Sequence, residues 1–312
     1  MSPARRFKLH PVLWCLLIFI VTHVLIIVVA ARIDPFLEEE DIYVPGQPGE
    51  EVVWWPGEVT LPSGETIDVP PQSSLGPILI YFLAVVAVVG ITLALIPLRM
   101  LKTVIRVMFA FLFGWGAFIL AALYLPLWPS IAIAALFGAV WFLIPLVWLH
   151  DLALVIALTS LGAIFGYFIS PWTAMALILA LAVYDFLAVR FGFMVWMANR
   201  MSQLEALPAL IVPRRSNEWG INLRKQSGGS LITEQPVERE YSVLGGGDIA
   251  FPGLLTASVY FSQGLAPADI IAACGLAGLV GAYVIQATFL KGRPMPALPP
   301  IAAATLVGLL LI

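Results

Sequence analysis

The chain has 312 residues, of which 61% are hydrophobic and 11% charged, with a mean hydropathy of +0.98. A soluble domain carries about 25% charged residues, so this composition excludes an ordinary soluble enzyme. Net charge is only −3, with no basic patch for nucleic acid.

The apolar residues fall in blocks long enough to cross the roughly 30 Å hydrocarbon layer as helices. Nine spans are expected, at 11–31, 77–97, 107–125, 130–149, 152–169, 172–189, 248–264, 267–290 and 297–312. Pro11, Pro77, Pro97, Pro126, Pro129, Pro171 and the 294–300 proline cluster mark many of the ends. The first span follows Arg5, Arg6 and Lys8, as a signal peptide would, but its apolar stretch exceeds a typical h-region and reads as a retained helix. The expected architecture is an all-α polytopic membrane protein. Its parts are 1–189 with spans one to six, a long loop 190–247, and 248–312 with spans seven to nine, together one membrane-embedded domain.

Charge sets the orientation. With nine spans, 15 of the 16 Lys and Arg residues fall on one side and only Arg32 on the other. The positive-inside rule then puts the N-terminus in the cytoplasm and the C-terminus outside. The first external loop, 32–75, holds ten of the 19 acidic residues and reads as a solvated cap. Trp54 and Trp55 in that loop suit the membrane interface.

Two carboxylates remain inside apolar segments, where ionisable groups are costly and usually functional. Asp185 lies in LALAVYDFLAV, and Asp248 opens a helix in GGGDIAFPGLL. Asp185 is five residues before Arg190, about 7–8 Å of helix from the cytoplasmic end. Asp248 begins the next span from the same side, and consecutive antiparallel helices are often neighbours. A facing pair follows. Two close carboxylates do not both ionise readily, so they share one proton. One member can then take a proton from water while the other donates to an amide carbonyl. Paired intramembrane aspartates equally suit a proton- or cation-coupled transporter. The carboxylates alone leave both readings open.

Other chemistries are disfavoured. Cys15 and Cys274 lie inside apolar runs, which suits neither a disulfide framework nor a metal site. HExxH is absent, and no serine sits in a GxSxG elbow. His23 and His150 read as local hydrogen-bonding residues. No metal and no cofactor are expected.

The surroundings of the aspartates are more specific. Gly245, Gly246 and Gly247 precede Asp248, and glycine permits close approach of another backbone. Pro296-Ala297-Leu298-Pro299-Pro300 opens the last span at the same predicted depth. Irregular backbone there is tolerated where it is buried in protein or lines a cavity.

Tyr184-Asp185, Gly245-Gly246-Gly247-Asp248 and Pro296-Ala297-Leu298-Pro299 resemble the YD, GxGD and PALP motifs of the GxGD intramembrane aspartyl proteases, the presenilins and signal peptide peptidases. The motifs occur in family order on spans six, seven and nine, and the short chain looks like an archaeal homologue. Type IV prepilin peptidases share a GxGD element but lack the PALP element and the nine-span plan. The resemblance implies a presenilin-like fold, with Asp185 and Asp248 as the catalytic pair; the charge-derived orientation is presenilin-like, whereas signal peptide peptidases are expected to run the opposite way. It implies that Pro296, Ala297 and Leu298 shape the active site and contact substrate, while Tyr184, Pro299 and the glycines support the geometry. The position between the motif glycines is often leucine in the family and is Gly246 here, which implies a looser loop. The implied activity is hydrolysis of peptide bonds in or near transmembrane helices of other proteins. The partners are those substrates and the lipid bilayer, and homo-oligomers or accessory subunits are left open.

Residues 190–247 remain. The stretch from Phe191 to Val212 suits an interfacial or gate-like helix broken by Pro208 and Pro213. Residues 230–243 contain β-favouring stretches and suit a strand or short hairpin. A helical substrate hides its amides, so cleavage needs unwinding, and the segment beside Asp248 is expected either to pair with the unwound chain or to serve as a solvated linker. Gly162, Gly166, Gly275, Gly278 and Gly281 offer small faces for helix packing.

Overall fold

Proline and glycine set the helix ends in the structure much as they punctuate the sequence. The structure is a computed structural model, and it describes residues 9–38, 55–60, 66–69, 74–192, 207–213, 218–223, 241–289 and 296–312. Nine helices occur among the described residues: α1 (Leu9–Glu38), α2 (Leu75–Leu95), α3 (Leu98–Ala122), α4 (Leu127–Leu143), α5 (Val147–Phe168), α6 (Pro171–Arg190), α7 (Gly247–Gln263), α8 (Leu265–Thr288) and α9 (Leu298–Leu311). Each coincides with one of the nine expected apolar blocks. Six are long and apolar enough to cross a membrane; α4, α7 and α9, with 17, 17 and 14 residues, are shorter.

Local chemistry explains the boundaries. Ser170 caps α6: its Oγ accepts the Thr173 N–H at 3.2 Å, and Pro171 occupies the first turn, where a missing N–H costs nothing. Gly264 joins α7 to α8 with φ +90°, a conformation natural to glycine. Two boundaries differ from expectation. Helix α3 begins at Leu98, so Arg99, Lys102 and Arg106 ride on the helix rather than in a connecting loop. Arg106 bridges to the end of α4, its Nη2 donating to the Phe142 carbonyl at 2.8 Å and its guanidinium lying 4.6 Å from the Phe142 ring centre. Helix α5 begins at Val147, so His150 and Asp151 lie on its first turns rather than at a junction between spans.

The loops add strands that an all-α reading lacks. In the acidic loop, β1 (Gly57–Thr60) pairs antiparallel with β2 (Thr66–Val69). In the long loop, β3 (Ala209–Pro213) pairs antiparallel with β4 (Tyr241–Gly245), in the register Ala209↔Gly245 to Pro213↔Tyr241. The end of the expected 191–212 helix is thus strand, and the β structure expected at 230–243 lies at 241–245 with a distant partner. Residues 193–206 and 230–240, on which those expectations also rested, lie outside the described residues, as does Trp54. Trp55 is exposed.

Strand β3 is buried along its whole length, which is why its sequence, ALIVP, does not alternate. Leu210 and Val212 pack into the helical core with Leu244, Ile249, Leu154 and Phe113. Ala209 and Ile211 face a second cluster with Val147, Leu207, Leu223 and Tyr241. The strand therefore joins the membrane-embedded bundle to the described residues 218–223 and 241–245 of the loop.

Small residues let the helices meet closely. A Cβ on Gly166 would lie 2.4 Å from the Ala257 Cβ, and one on Gly278 would lie 2.5 Å from the Ile301 Cα. These glycines carry the α5–α7 and α8–α9 crossings, as small residues do in membrane bundles. Gly281 faces open space and carries no such contact.

Candidate active site

The three motif-bearing segments meet at one end of the bundle. Residues Ala174, Met175, Leu177, Ile178, Leu181 and Ala182 of α6, Leu254, Leu255 and Val259 of α7, and Leu298, Ala302 and Leu309 of α9 belong to one apolar cluster. That shared core holds the three elements side by side. Asp185 lies one turn beyond it on α6, five residues before the helix end. Asp248 is the second residue of α7. Both are partly buried, and Asp185 lies close enough for its charge to act on Asp248.

The Asp248 side is built from backbone. Strand β4 runs into Gly245, the chain turns at Gly246, and α7 starts at Gly247. The Gly246 N–H donates to the Pro208 carbonyl at 2.9 Å, extending the β3–β4 ladder by one rung. The Gly246 carbonyl then accepts from Ala250 N–H at 2.8 Å, which begins the helix. A Cβ at Gly246 would stand 2.9 Å from the Pro208 oxygen, so the position has no room for a side chain. The loop is therefore tight where the missing leucine implied looseness: glycine here permits two backbones to touch. A Cβ on Gly245 would lie 3.0 Å from Asp248 Oδ2, and the Gly245 backbone N–H is directed at this carboxylate. Gly247 is exposed, with only the Phe251 ring nearby.

The Asp185 side depends on the start of α9. Among the first residues of that helix, Pro299 and Pro300 have no N–H, and Ile301 N–H turns back to the Ala297 carbonyl at 3.4 Å. The Leu298 N–H, a helix-start donor with no partner inside the helix, is directed at the Asp185 carboxylate. Proline chemistry thus leaves a single backbone donor, and it faces one of the two acids. Leu298 is buried, whereas Pro296, Ala297 and Pro299 are half-buried. Tyr184 is half-buried beside Asp185.

Residues 71–312 match the family described as signal-peptide peptidase, presenilin aspartyl protease. The chain belongs to that family. All three motifs lie inside the matched residues. The chain is also similar to two solved structures. One, a presenilin family intramembrane aspartate protease in a C222 crystal form, superposes with a TM-score of 0.54 at 20% identity, over 95% of this chain and 97% of that one. Another, in a P2 crystal form, gives 0.51 at 16%, over 94% and 95%. Comparison with curated proteins gave no match. This member of the presenilin and signal-peptide peptidase family is an integral multi-pass membrane protein and an intramembrane aspartic protease. Family membership does not favour the transporter reading of the aspartates.

Sequence reading missed several neighbours of the site. Tyr283 on α8 lies near Asp248, and its hydroxyl pairs with the thiol of Cys15 on α1, which also reaches Ser242 of β4. No local pattern marks these residues, because their proximity arises only when α1, α8 and β4 pack together. His23 makes the local contact expected, its Nδ1 lying 2.9 Å from the Phe19 carbonyl. His150 does not: its Nε2 reaches Leu207 and Ala209, far along the chain.

Proposed function

We propose that this chain cleaves peptide bonds within or beside transmembrane helices of other proteins, with Asp185 and Asp248 as its catalytic dyad. The observation that carries this reading is the convergence of two partly buried carboxylates at one end of the α6–α7–α9 cluster, each facing a backbone N–H. The pair shares one proton. The ionised member takes a proton from a water as its oxygen bonds to the amide carbon, and the other member gives its proton to the carbonyl oxygen. The tetrahedral adduct then collapses: the C–N bond breaks, the amine nitrogen receives the proton first taken from water, and the hydroxyl proton returns to the dyad. Tyr184, Gly245, Gly246, Gly247, Pro296, Ala297, Leu298 and Pro299 shape the site around the pair.

The topology belongs to the same reading. Nine crossings put the N-terminus in the cytoplasm, the C-terminus outside and the dyad near the cytoplasmic face. The chain divides functionally at 190 and 247, on either side of the long loop. The unwound substrate pairs with β4. Gly246 N–H bonds the Pro208 carbonyl, so the 210↔244 and 212↔242 pairs carry the ladder bonds, and the backbone groups of Val243 face away from β3. Val243 is 40% exposed, which supports an accessible edge two residues before the glycine run.

The test uses purified protein in liposomes with a single-span substrate, beside Asp185→Asn and Asp248→Asn. Wild type should release fragments cut within the span, and each variant should lose at least roughly 1,000-fold in rate while remaining folded. Aspartate-dependent ion flux without proteolysis would overturn the reading.

A further inference from the structure

His150 and Asp151 are buried side by side on α5, 0% and 4% exposed, with no part in the dyad. Their partners are all on β3 and the residues leading into it. His150 Nε2 lies 3.0 Å from the Leu207 carbonyl and 3.3 Å from the Ala209 carbonyl. Both partners are acceptors, so the hydrogen-bond network assigns the proton to Nε2. Asp151 Oδ1 accepts the Ile211 N–H at 2.9 Å. Residues 207, 209 and 211 share one parity of the strand, the edge facing away from β4. Two consecutive helix side chains therefore occupy three backbone groups along the outer edge of β3.

The arrangement is rigid at its base. The His150 ring packs 5.7 Å from Phe113 and 5.9 Å from Trp141, both fully buried, so α3 and α4 fix the imidazole. Adjacent backbone bonds tie the same end of α5 to residues 218–223: Val147 N–H to Ile221 O at 3.1 Å, and Leu223 N–H to Pro145 O at 2.9 Å. Packing alone does not require the pair to be polar. His150 Nδ1 and Asp151 Oδ2 are buried without hydrogen-bond partners, a loss that two apolar residues would avoid. Their gain is directional: the imidazole N–H and the carboxylate oxygen each find a backbone partner on the outer edge of β3, so the pair ties that edge to α5 as apolar side chains would not.

We infer that His150 and Asp151 are positioning residues of the protease: they close the outer edge of β3 and anchor it on α5, and through the β3–β4 ladder and the Pro208–Gly246 bond they set where Asp248 stands relative to Asp185. The same contacts leave the edge of β4 as the one open to a substrate strand. This inference rests on the dyad and strand-pairing reading proposed above.

The variants Asp151→Leu and His150→Leu remove the acceptor and the donor separately, while Asp151→Asn and His150→Gln keep a group able to make each bond. All are assayed in liposomes on the single-span substrate, with rates expressed per folded, monodisperse enzyme, and fragment masses locating the cut. Each Leu variant should lower kcat at least tenfold with KM within about twofold, and spread the cut over neighbouring bonds. The Asn and Gln variants should restore a single cut and most of kcat. A contact that only supports folding would lower the yield without moving the cleaved bond. Leu variants that fold and cut the wild-type bond at the wild-type rate would overturn the inference. So would Asn and Gln variants that fold yet behave like the Leu variants. If one Leu variant yields no folded protein, the other decides, since the two act on different backbone groups. Asp248→Asn run alongside separates the failures: activity in that variant sinks the dyad itself, whereas its inactivity beside unaffected Leu variants sinks only the positioning role.

Discussion

The two aspartates are held in different ways. Asp248 follows a strand that is locked into a ladder, tied to α5 and pressed against Pro208, so its wall of the site is backbone against backbone. Asp185 sits on the last turns of a helix whose neighbouring side chains Val183, Phe186 and Leu187 are exposed, and its fixed contact is the single N–H of Leu298. One wall is over-determined and the other is held at one point. A protease that must admit a helical segment from the bilayer needs both properties: a rigid acid to define the cut and a more open side for entry.

The largest effect should come from forcing a side chain into the rigid wall. Gly246→Leu would drive its Cβ within 2.9 Å of the Pro208 carbonyl oxygen, so either that carbonyl or the turn must move. A displacement of about 1 Å at a reacting group can cost roughly 100-fold, and kcat should fall by about that factor. Liposome kinetics on folded protein measure it. A Gly246→Leu enzyme with wild-type kcat would mean that the Asp248 wall yields as easily as the other one.

Next in size is the contrast between adjacent β4 positions. Val243→Pro removes an N–H that points away from β3, which an edge strand tolerates. Leu244→Pro removes a ladder donor and breaks the pairing with Leu210. Val243→Pro should therefore reduce kcat/KM at least tenfold with little change in melting temperature, whereas Leu244→Pro should lower both. Thermal melts in detergent beside cleavage assays distinguish them. Equal loss of stability in both would mean that β4 has no edge available for substrate.

How much of this was legible in the sequence follows from the same contrast. The nine helices among the described residues could be placed from apolar blocks and prolines, and the family from Tyr184-Asp185, Gly245–Asp248 and Pro296–Pro299, because those signals are local. The start of α5 was misplaced because His150 and Asp151 look like a polar junction, when their polarity serves a strand some 60 residues later. Strand β3 was hidden for the complementary reason: buried on both faces, ALIV reads as well as the end of a helix. The tightness of Gly246 depends on Pro208, which no spacing rule connects to it. Signals within one element were readable, and those made by two distant segments were not.

On the more open wall, Pro299→Ala should act more weakly. The substitution adds an N–H at the start of α9, beside the Leu298 donor that faces Asp185, and relaxes the restriction that proline imposes on Leu298. The helix start survives, since proline there was favourable but not required. A two- to fivefold drop in kcat is expected, with KM nearly unchanged. A loss as large as that of Gly246→Leu would show that both acids are held equally rigidly, and the contrast between the two walls would fail.

The smallest effect should come from Gly247→Ala, although Gly247 belongs to the same motif as its neighbours. Its φ is not positive, so alanine meets no backbone strain. The added Cβ would lie 3.5 Å from the Phe251 ring, an ordinary contact, and alanine favours the first turn of α7 over glycine. Folding stability should be unchanged or higher by up to about 1 kcal/mol, and cleavage should stay within about twofold of wild type. Unfolding in detergent and liposome kinetics give the two numbers. A loss above tenfold in cleavage at intact stability would carry a different lesson. The exposed side of Gly247 would then be where the substrate backbone passes, and this glycine would serve the complex, whereas Gly246 serves the fold.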